Sequence, residues 1–303
     1  MDYEAFDRAI AQLGCPCLVD EPMQAHTTFR IGGPADRLAT VQTPEQLAAV
    51  LRLAREQELP CMLLGRGSNL LVSDKGVRGV VLKLGGSFQE IALQEDGRTV
   101  RAGAAASLRS LCEFAREHGL SGLEFAFGIP GSVGGAVYMD AGAYGGEMRD
   151  VVRCVTHMTR DGALVTLQAK DLGFDYRKSR YTGGEDVIVS AEFALNPGDP
   201  AAIREKMAEL MNRRKEKQPY DLPSAGSVFK RPKNGFAAEM IEECGLKGRR
   251  VGGAQVSEKH SGFIVNVGGA TCKDVLELIE IVRQEVRRQT GTELECEVRV
   301  TGE

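Results

Sequence analysis

The chain has 303 residues, 43% hydrophobic and 26% charged, which leaves apolar material for more than one core and room for two or three domains. A formal net charge of −4 argues against a general nucleic-acid binder, and no apolar run approaches the roughly 18–20 residues that cross a bilayer. The acidic start, residues 1–7, lacks a secretory pattern, and the eight cysteines include no C-x-x-C pair, so reduced cysteines, no metal site and a cytoplasmic location are expected.

In chain order, residues 43–59 read as a helix: Thr43 caps, Pro44 takes the first position, and Leu47, Val50, Leu51 and Ala54 share a face. An apolar strand at 61–64 runs into Gly65-Arg66-Gly67-Ser68-Asn69, and strand-like pieces follow at 70–72 and 80–84. A second helix covers 108–118, with Leu111, Cys112 and Ala115 inward and Gly119 at its end. Residues 128–146 form a long glycine-rich stretch, from Gly128-Ile129-Pro130-Gly131-Ser132-Val133-Gly134-Gly135 to Gly142, Ala143, Gly145 and Gly146. Strands resume at 151–158, 164–167 and 187–193.

The composition shifts at Asn196-Pro197-Gly198-Asp199-Pro200, the best linker candidate. Beyond it come a helix at 201–217, with Ile203, Met207, Leu210 and Met211 inward, and a shorter one at 236–244. A strand at 263–267 precedes an amphipathic helix at 273–289, with Val275, Leu278, Ile279, Val282 and Val286 on one face. The last strand, 294–300, puts Leu294, Cys296, Val298 and Val300 on one side and Glu295, Glu297 and Arg299 on the other. The expected class is α+β, with lobes at 1–82 and 83–197 and a separate domain at 198–303.

Gly65 to Asn69 follow a strand, the right context for a turn whose backbone amides meet an anion. The loop fails as a dinucleotide fingerprint, since position 70 is Leu, and as a P-loop, since the chain has no Gly-Lys dipeptide. Alone, it fits a tight surface turn equally well. A second glycine-rich stretch in the same chain suits a long ligand with two phosphates, such as FAD; a plain glycine-rich turn region is the competing explanation.

Six blocks carry a resemblance. They are His26-Thr27-Thr28-Phe29-Arg30-Ile31-Gly32-Gly33, Leu64-Gly65-Arg66-Gly67-Ser68-Asn69, Gly128-Ile129-Pro130-Gly131-Ser132, Asp175-Tyr176-Arg177-Lys178-Ser179-Arg180, Ser224-Ala225-Gly226-Ser227-Val228-Phe229-Lys230 and Leu294-Glu295-Cys296-Glu297-Val298-Arg299. In this order they resemble the UDP-N-acetylenolpyruvoylglucosamine reductase family, in its shorter form lacking a tyrosine loop. The resemblance implies a two-lobed FAD-binding domain of the vanillyl-alcohol-oxidase/PCMH type and a C-terminal α+β substrate-binding domain. It also implies a monomer that uses NADPH and non-covalent FAD to reduce UDP-N-acetylglucosamine enolpyruvate to UDP-N-acetylmuramate, in peptidoglycan precursor synthesis.

By the same resemblance, Gly65, Arg66, Gly67, Ser68, Asn69, Gly128, Pro130, Gly131, Ser132, Gly134, Gly142 and Ala143 bind FAD. Hydride addition to C3 of an enolpyruvyl group needs a clamp on the attached carboxylate and a proton donor for C2. Arg177 suits the clamp, Ser227 the donor, and Glu297 helps hold or polarise the carboxylate. Lys217 is expected on the diphosphate, with Tyr176, Lys230 and His260 as further substrate contacts. Spacing alone favours an Arg177–Asp175 surface pair, a turn hydroxyl at Ser227 and a solvated Glu297; the resemblance reverses that preference. Two departures stand out: Cys296, where the family usually has Pro, and Asp140, where it usually has Asn and where a carboxylate would repel flavin phosphates. An alcohol-oxidising flavoprotein and a nucleotide-sugar-binding regulator without turnover are the competing functions.

Overall fold

The computed structural model describes residues 3–303; Met1 and Asp2, the start of the acidic stretch, lie outside them. The chain forms two compact units. The first comprises the chain through Leu18, Arg37–Arg66 and Gly79–Arg213; the second comprises Val19–Asp36, Gly67–Arg78 and Arg214–Glu303.

In the first unit, helix α1 (Glu4–Gln12) buries Phe6 and Ile10, and α2 (Pro44–Glu56) buries Leu47, Val50 and Ala54. The Thr43 hydroxyl accepts the Gln46 N–H at 3.3 Å, so α2 starts at the expected cap. These side chains share a core with Val41, Val80 and Leu82 from a sheet ordered Cys17–Pro22, Pro34–Val41, Val77–Leu84, Cys61–Leu64. Its last pair is parallel, Cys61 to Leu64 lying opposite Val80 to Lys83.

A five-stranded antiparallel sheet follows, ordered Leu164–Gln168, Val152–Met158, Val187–Ala194, Thr99–Gly103, Ile91–Leu93. Helix α3 (Leu108–Glu117) starts at Ser107, whose hydroxyl accepts the Ser110 N–H at 2.9 Å, and buries Leu108, Leu111, Cys112 and Ala115. The glycine-rich stretch, read from sequence as loop, contains a helix, α4 (Val133–Tyr138). Glycine disfavours helix by about 1 kcal/mol per residue relative to Ala, yet burial of Val133, Ala136 and Val137 in the core beside α3 decides the conformation. Helix α5 (Pro200–Lys217) follows Asp199, which accepts the Ala201 and Ala202 amides at 3.2 Å, and sends Ile203 and Met207 into the same core.

The second unit holds an antiparallel sheet ordered Ser224–Ser227, Phe263–Asn266, Ala254–Val256, Arg250–Val251. Helix α6 (Ala237–Glu243) and helix α7 (Cys272–Thr290) pack in one core with it. A reciprocal capping box of Thr271 and Asp274 opens α7, and Gly291, at φ 70°, closes it. The expected Val275, Leu278, Ile279, Val282 and Val286 are all buried, each contributing roughly 1.5–3 kcal/mol relative to exposure.

Phe29, Ile31 and Leu71, from far earlier in the chain, fill the same core. The last strand is shorter than its alternation suggests. Only Arg299–Thr301 pairs, in parallel with Leu70–Val72, while Cys296 makes an isolated bridge to Phe229 and Val300 is 51% exposed. Alternation reports which face is buried, not where a ladder partner begins or ends.

Candidate active site

Gly65 and Ser132, one from each glycine-rich stretch, meet in the first unit. A Cβ on Gly65 would lie 2.9 Å from the Ser132 hydroxyl, so the end of the strand Cys61–Leu64 touches the start of α4. Ser132 is buried and accepts the Gly135 N–H at 3.4 Å. On either side the backbone is pinned: Leu108 N–H donates to the Gly131 carbonyl at 3.1 Å, and Val133 N–H to the Ala106 carbonyl at 2.9 Å. Gly134 has a packing reason of its own, because a Cβ there would sit 2.9 Å from the Ala104 Cβ. A cradle lined by backbone, with little side chain to obstruct it, is what a dinucleotide cofactor requires, so the residues present fit FAD.

Beyond α4, a short hairpin pairs Gly142 with Glu147 and Ala143 with Gly146. Asp140, before it, is fully buried and has φ 42°. The charge that would repel flavin phosphates is thus withdrawn from the surface. Its carboxylate accepts the Arg149 backbone N–H at 2.9 Å and pairs with the Arg149 guanidinium at 2.5 Å. Burial pushes the Asp140 carboxyl up, and Arg149 opposes that rise.

Arg177 sits on a two-residue turn closed by Asp175 N–H to Lys178 O at 3.1 Å and Lys178 N–H to Asp175 O at 2.9 Å. Its φ is 58°, an uncommon value for a non-glycine residue and one that this tight turn demands. The guanidinium donates to the Gly142 carbonyl at 3.5 Å and lies 5.0 Å over the Tyr176 ring. Asp175 pairs with Lys178 at 2.9 Å. Ser179 anchors the turn by donating its hydroxyl to the Tyr138 carbonyl at 2.9 Å, a tie that no sequence spacing signalled.

In the second unit, Gly226 at φ 77° creates a register shift in the strand Ser224–Ser227, and Ser227 regains pairing opposite Phe263. The next residue, Val228, accepts the Glu297 N–H at 2.7 Å, which brings Ser227 and Glu297 onto neighbouring backbone. Asn69 joins them: its side-chain amide donates to the Glu297 carbonyl at 3.1 Å, and its own carbonyl accepts Arg299 N–H at 3.0 Å. Thr28, not singled out from sequence, links Gly67 to the same strand. Its N–H donates to the Gly67 carbonyl at 3.3 Å and its hydroxyl to the Ser224 carbonyl at 2.7 Å.

The C-terminal-domain model of UDP-N-acetylenolpyruvoylglucosamine reductase matches residues 218–301, and an FAD binding domain model matches residues 35–168. A reductase of that name from Alkaliphilus oremlandii is 46% identical over 301 residues, 99% of this chain and 98% of the relative. UDP-N-acetylenolpyruvoylglucosamine reductase 2 of Symbiobacterium thermophilum is 50% identical over 282 residues, 93% of this chain and 91% of the relative. The chain belongs to the UDP-N-acetylenolpyruvoylglucosamine reductase family. The crystal structure of the family's member from Thermus caldophilus superposes with a TM-score of 0.80 at 39% identity, covering 94% of this chain and 98% of that one.

Against this reductase fold the remaining expected residues divide. Cys296, where the family usually has Pro, is half-buried and packs against the second core without disturbing it. Lys217 is exposed on the last turn of α5. The Lys230 ammonium is paired with Glu295, and its N–H donates to the Glu295 carbonyl at 2.8 Å. His260 is committed locally: Nδ1 accepts the Gly262 N–H at 3.1 Å, the ring meets Phe263 edge-on at 5.0 Å, and burial lowers its pKa. Tyr176 is 42% exposed beside Arg177. Among the described residues no cluster of three or more His, Cys, Asp or Glu offers a metal site, and no helix is long and apolar enough to cross a membrane.

Proposed function

We propose that this protein reduces the enolpyruvyl group of UDP-N-acetylglucosamine enolpyruvate to UDP-N-acetylmuramate, with NADPH as the electron source and non-covalent FAD between them. Membership of the reductase family over nearly the whole chain carries the reading. The meeting of Gly65 with Ser132 and the closeness of Ser227 to Glu297 support it. FAD, held at the two loops, would supply the two-electron chemistry that couples oxidation of NADPH to hydride addition at C3 of the substrate's double bond.

The chain's own residues do the rest. Gly65, Arg66, Gly67, Ser68 and Asn69, with Gly128, Pro130, Gly131, Ser132, Gly134, Gly142 and Ala143, hold the cofactor through a backbone-rich surface. Arg177, with a fixed charge and a planar fork of donors, holds the substrate carboxylate and stabilises the charge that hydride addition places on it. Ser227 delivers the proton to C2, and a neutral hydroxyl does so without quenching a hydride donor. Glu297, its backbone fixed beside Val228, orients the carboxylate end. Lys217 meets the diphosphate, with Tyr176, Lys230 and His260 as weaker contacts; Lys230 must leave Glu295 to take part. In this reading residues 1–82 and 83–197 serve the flavin and 198–303 the sugar nucleotide. NADPH and the UDP-sugar use one pocket in turn, in a monomer. Both are multiply charged and cross membranes poorly, which supports a reaction in the cytoplasm.

Anaerobic absorbance spectroscopy tests this directly. Purified protein should be yellow and release all its flavin on acid precipitation. NADPH should bleach it, and the enolpyruvyl sugar should restore the colour while gaining two hydrogens. Colour retained on the precipitate, or no return of colour with that substrate, overturns the reading.

A further inference from the structure

Helix α4 ends at Tyr138, and within a dozen residues the chain makes a sharp bend, a hairpin and a single helical turn over Met148–Asp150. Outside the hairpin Met148 N–H donates to Ala141 O at 3.1 Å, and the next residues out, Asp140 and Arg149, bind each other twice, through the Arg149 N–H and through its guanidinium. Asp140 is completely withdrawn from water, whereas Arg149 remains partly exposed and also reaches Glu147 at 3.1 Å. A carboxylate in such a place persists only with a compensating cation. The pair therefore closes the base of the hairpin. Two residues past Asp140, the Gly142 carbonyl faces the Arg177 guanidinium, and Arg149 also acts electrostatically on Asp175 at the foot of the Arg177 turn.

We propose that Asp140, through Arg149, is a positioning residue for Arg177, holding the Gly142 carbonyl where it fixes the direction of the guanidinium. The inference rests on the assignment of Arg177 to the substrate carboxylate. The charged groups facing Asp140 are Arg149 and, at longer range, Glu147. With the Arg149 side chain removed, Asp140 keeps its burial and its repulsion from Glu147 and loses the attraction of the guanidinium. Burial already raises this carboxyl, so the closed hairpin then survives at low pH, with Asp140 protonated, and opens as pH rises through the carboxyl's shifted pKa.

Stopped-flow absorbance of the holoenzyme separates the half-reactions. In Arg149→Met, reoxidation of reduced flavin by the enolpyruvyl substrate should fall by about tenfold or more at the alkaline end, since small misplacements of a binding group have effects of this size. The loss should shrink toward acid pH, while reduction by NADPH stays at the wild-type rate. The double variant Asp140→Asn with Arg149→Met should regain most of the lost rate and a flat profile, because no buried charge remains. Arg149→Lys keeps the charge without the fork and should slow reoxidation at every pH; it is the test to read if Arg149→Met fails to fold. Equal slowing of Arg149→Met at all pH values, a double variant no faster than Arg149→Met, or an unaffected Arg149→Lys overturns the proposal. Arg177→Ala is the control for the assignment beneath it. If Arg177→Ala reoxidises normally, that assignment falls. If Arg177→Ala is slow while the Arg149 variants are normal, only the positioning role falls.

Discussion

The side-chain amide of Asn69 donates to the backbone carbonyl of Glu297 across 228 positions of sequence, at 3.1 Å. A residue expected to serve phosphates from a glycine loop thus spends a donor on fixing the segment that carries Glu297. The same segment is fixed again by Glu297 N–H to Val228 O at 2.7 Å and Arg299 N–H to Asn69 O at 3.0 Å. Ser227 and Glu297 consequently share one rigid patch of backbone, the arrangement a positioned proton donor needs.

If Ser227 protonates C2, it has no task while NADPH reduces the flavin. Ser227→Ala should bleach with NADPH at close to the wild-type rate, while reoxidation by the enolpyruvyl sugar slows by about 10²–10⁴, the usual worth of a positioned acid. Ser227→Cys should recover part of that rate, since a thiol also donates a proton. Slow bleaching by NADPH in Ser227→Ala would instead make the serine part of the flavin pocket.

Lys217 is assigned to the diphosphate from an exposed helix end whose last turn also carries Arg214 and Lys215. One lost charge-assisted contact should weaken UDP-substrate binding to oxidised enzyme by about tenfold or more in Lys217→Ala. The flavin spectrum should not change. Spectral titration reads both, and unaltered affinity returns Lys217 to a solvated helix terminus.

Gly134 packs its backbone on Ala104, whose carbonyl accepts the Gly134 N–H at 2.8 Å. Gly134→Ala should force α4 away from that carbonyl, lowering stability by about 1–3 kcal/mol as overpacking does. Retention of flavin should fall with it, because Ser132 and Gly131 move with the first turn of α4. Thermal melting with and without added FAD measures both effects. A variant that melts and binds flavin like wild type would show that the crowding at Gly134 is relieved elsewhere.

His157 is buried, with Nδ1 meeting the Tyr181 hydroxyl at 3.1 Å and Nε2 lying 3.4 Å from Asp186. Burial lowers its pKa and so does Arg180, while Asp186 pulls the other way; the net shift is downward. Burial also pushes the Tyr181 hydroxyl up to about 12, so it stays protonated as the donor. A histidine with a depressed folded pKa contributes stability above its unfolded pKa of about 6.5, and that contribution is lost as pH falls through the folded value. The thermal midpoint should therefore drop on acidification below about pH 6.5 more steeply in wild type than in His157→Gln. Parallel curves for the two proteins would refute the assignment.

Helix α7 was legible almost to the residue, because five apolar side chains recur at helical spacing; its capping box of Thr271 and Asp274 came only with the structure. Helix α4 was not: its glycines speak against helix locally, and only the core beside it holds Val133, Ala136 and Val137 in register. The last strand misled in the opposite way, its clean alternation extending well past the three residues that pair. The candidate site residues were drawn from motifs, and motifs carry no information about their partners. Nothing in spacing announces that Lys230 pairs with Glu295, that Asp140 closes on Arg149, or that Thr28 reaches Ser224, since each depends on chain segments meeting in space.

The second unit draws Val19–Asp36 and Gly67–Arg78 from the first third of the chain and everything else from beyond Arg213. Phe29, Ile31 and Leu71 have their core companions on α7, and Leu70–Val72 has its parallel partner at Arg299–Thr301. On the ribosome these early segments emerge long before anything exists for them to bury against. The second core therefore cannot be completed until Arg299–Thr301 has been made, and until then Leu70–Val72 is an apolar strand without its parallel partner.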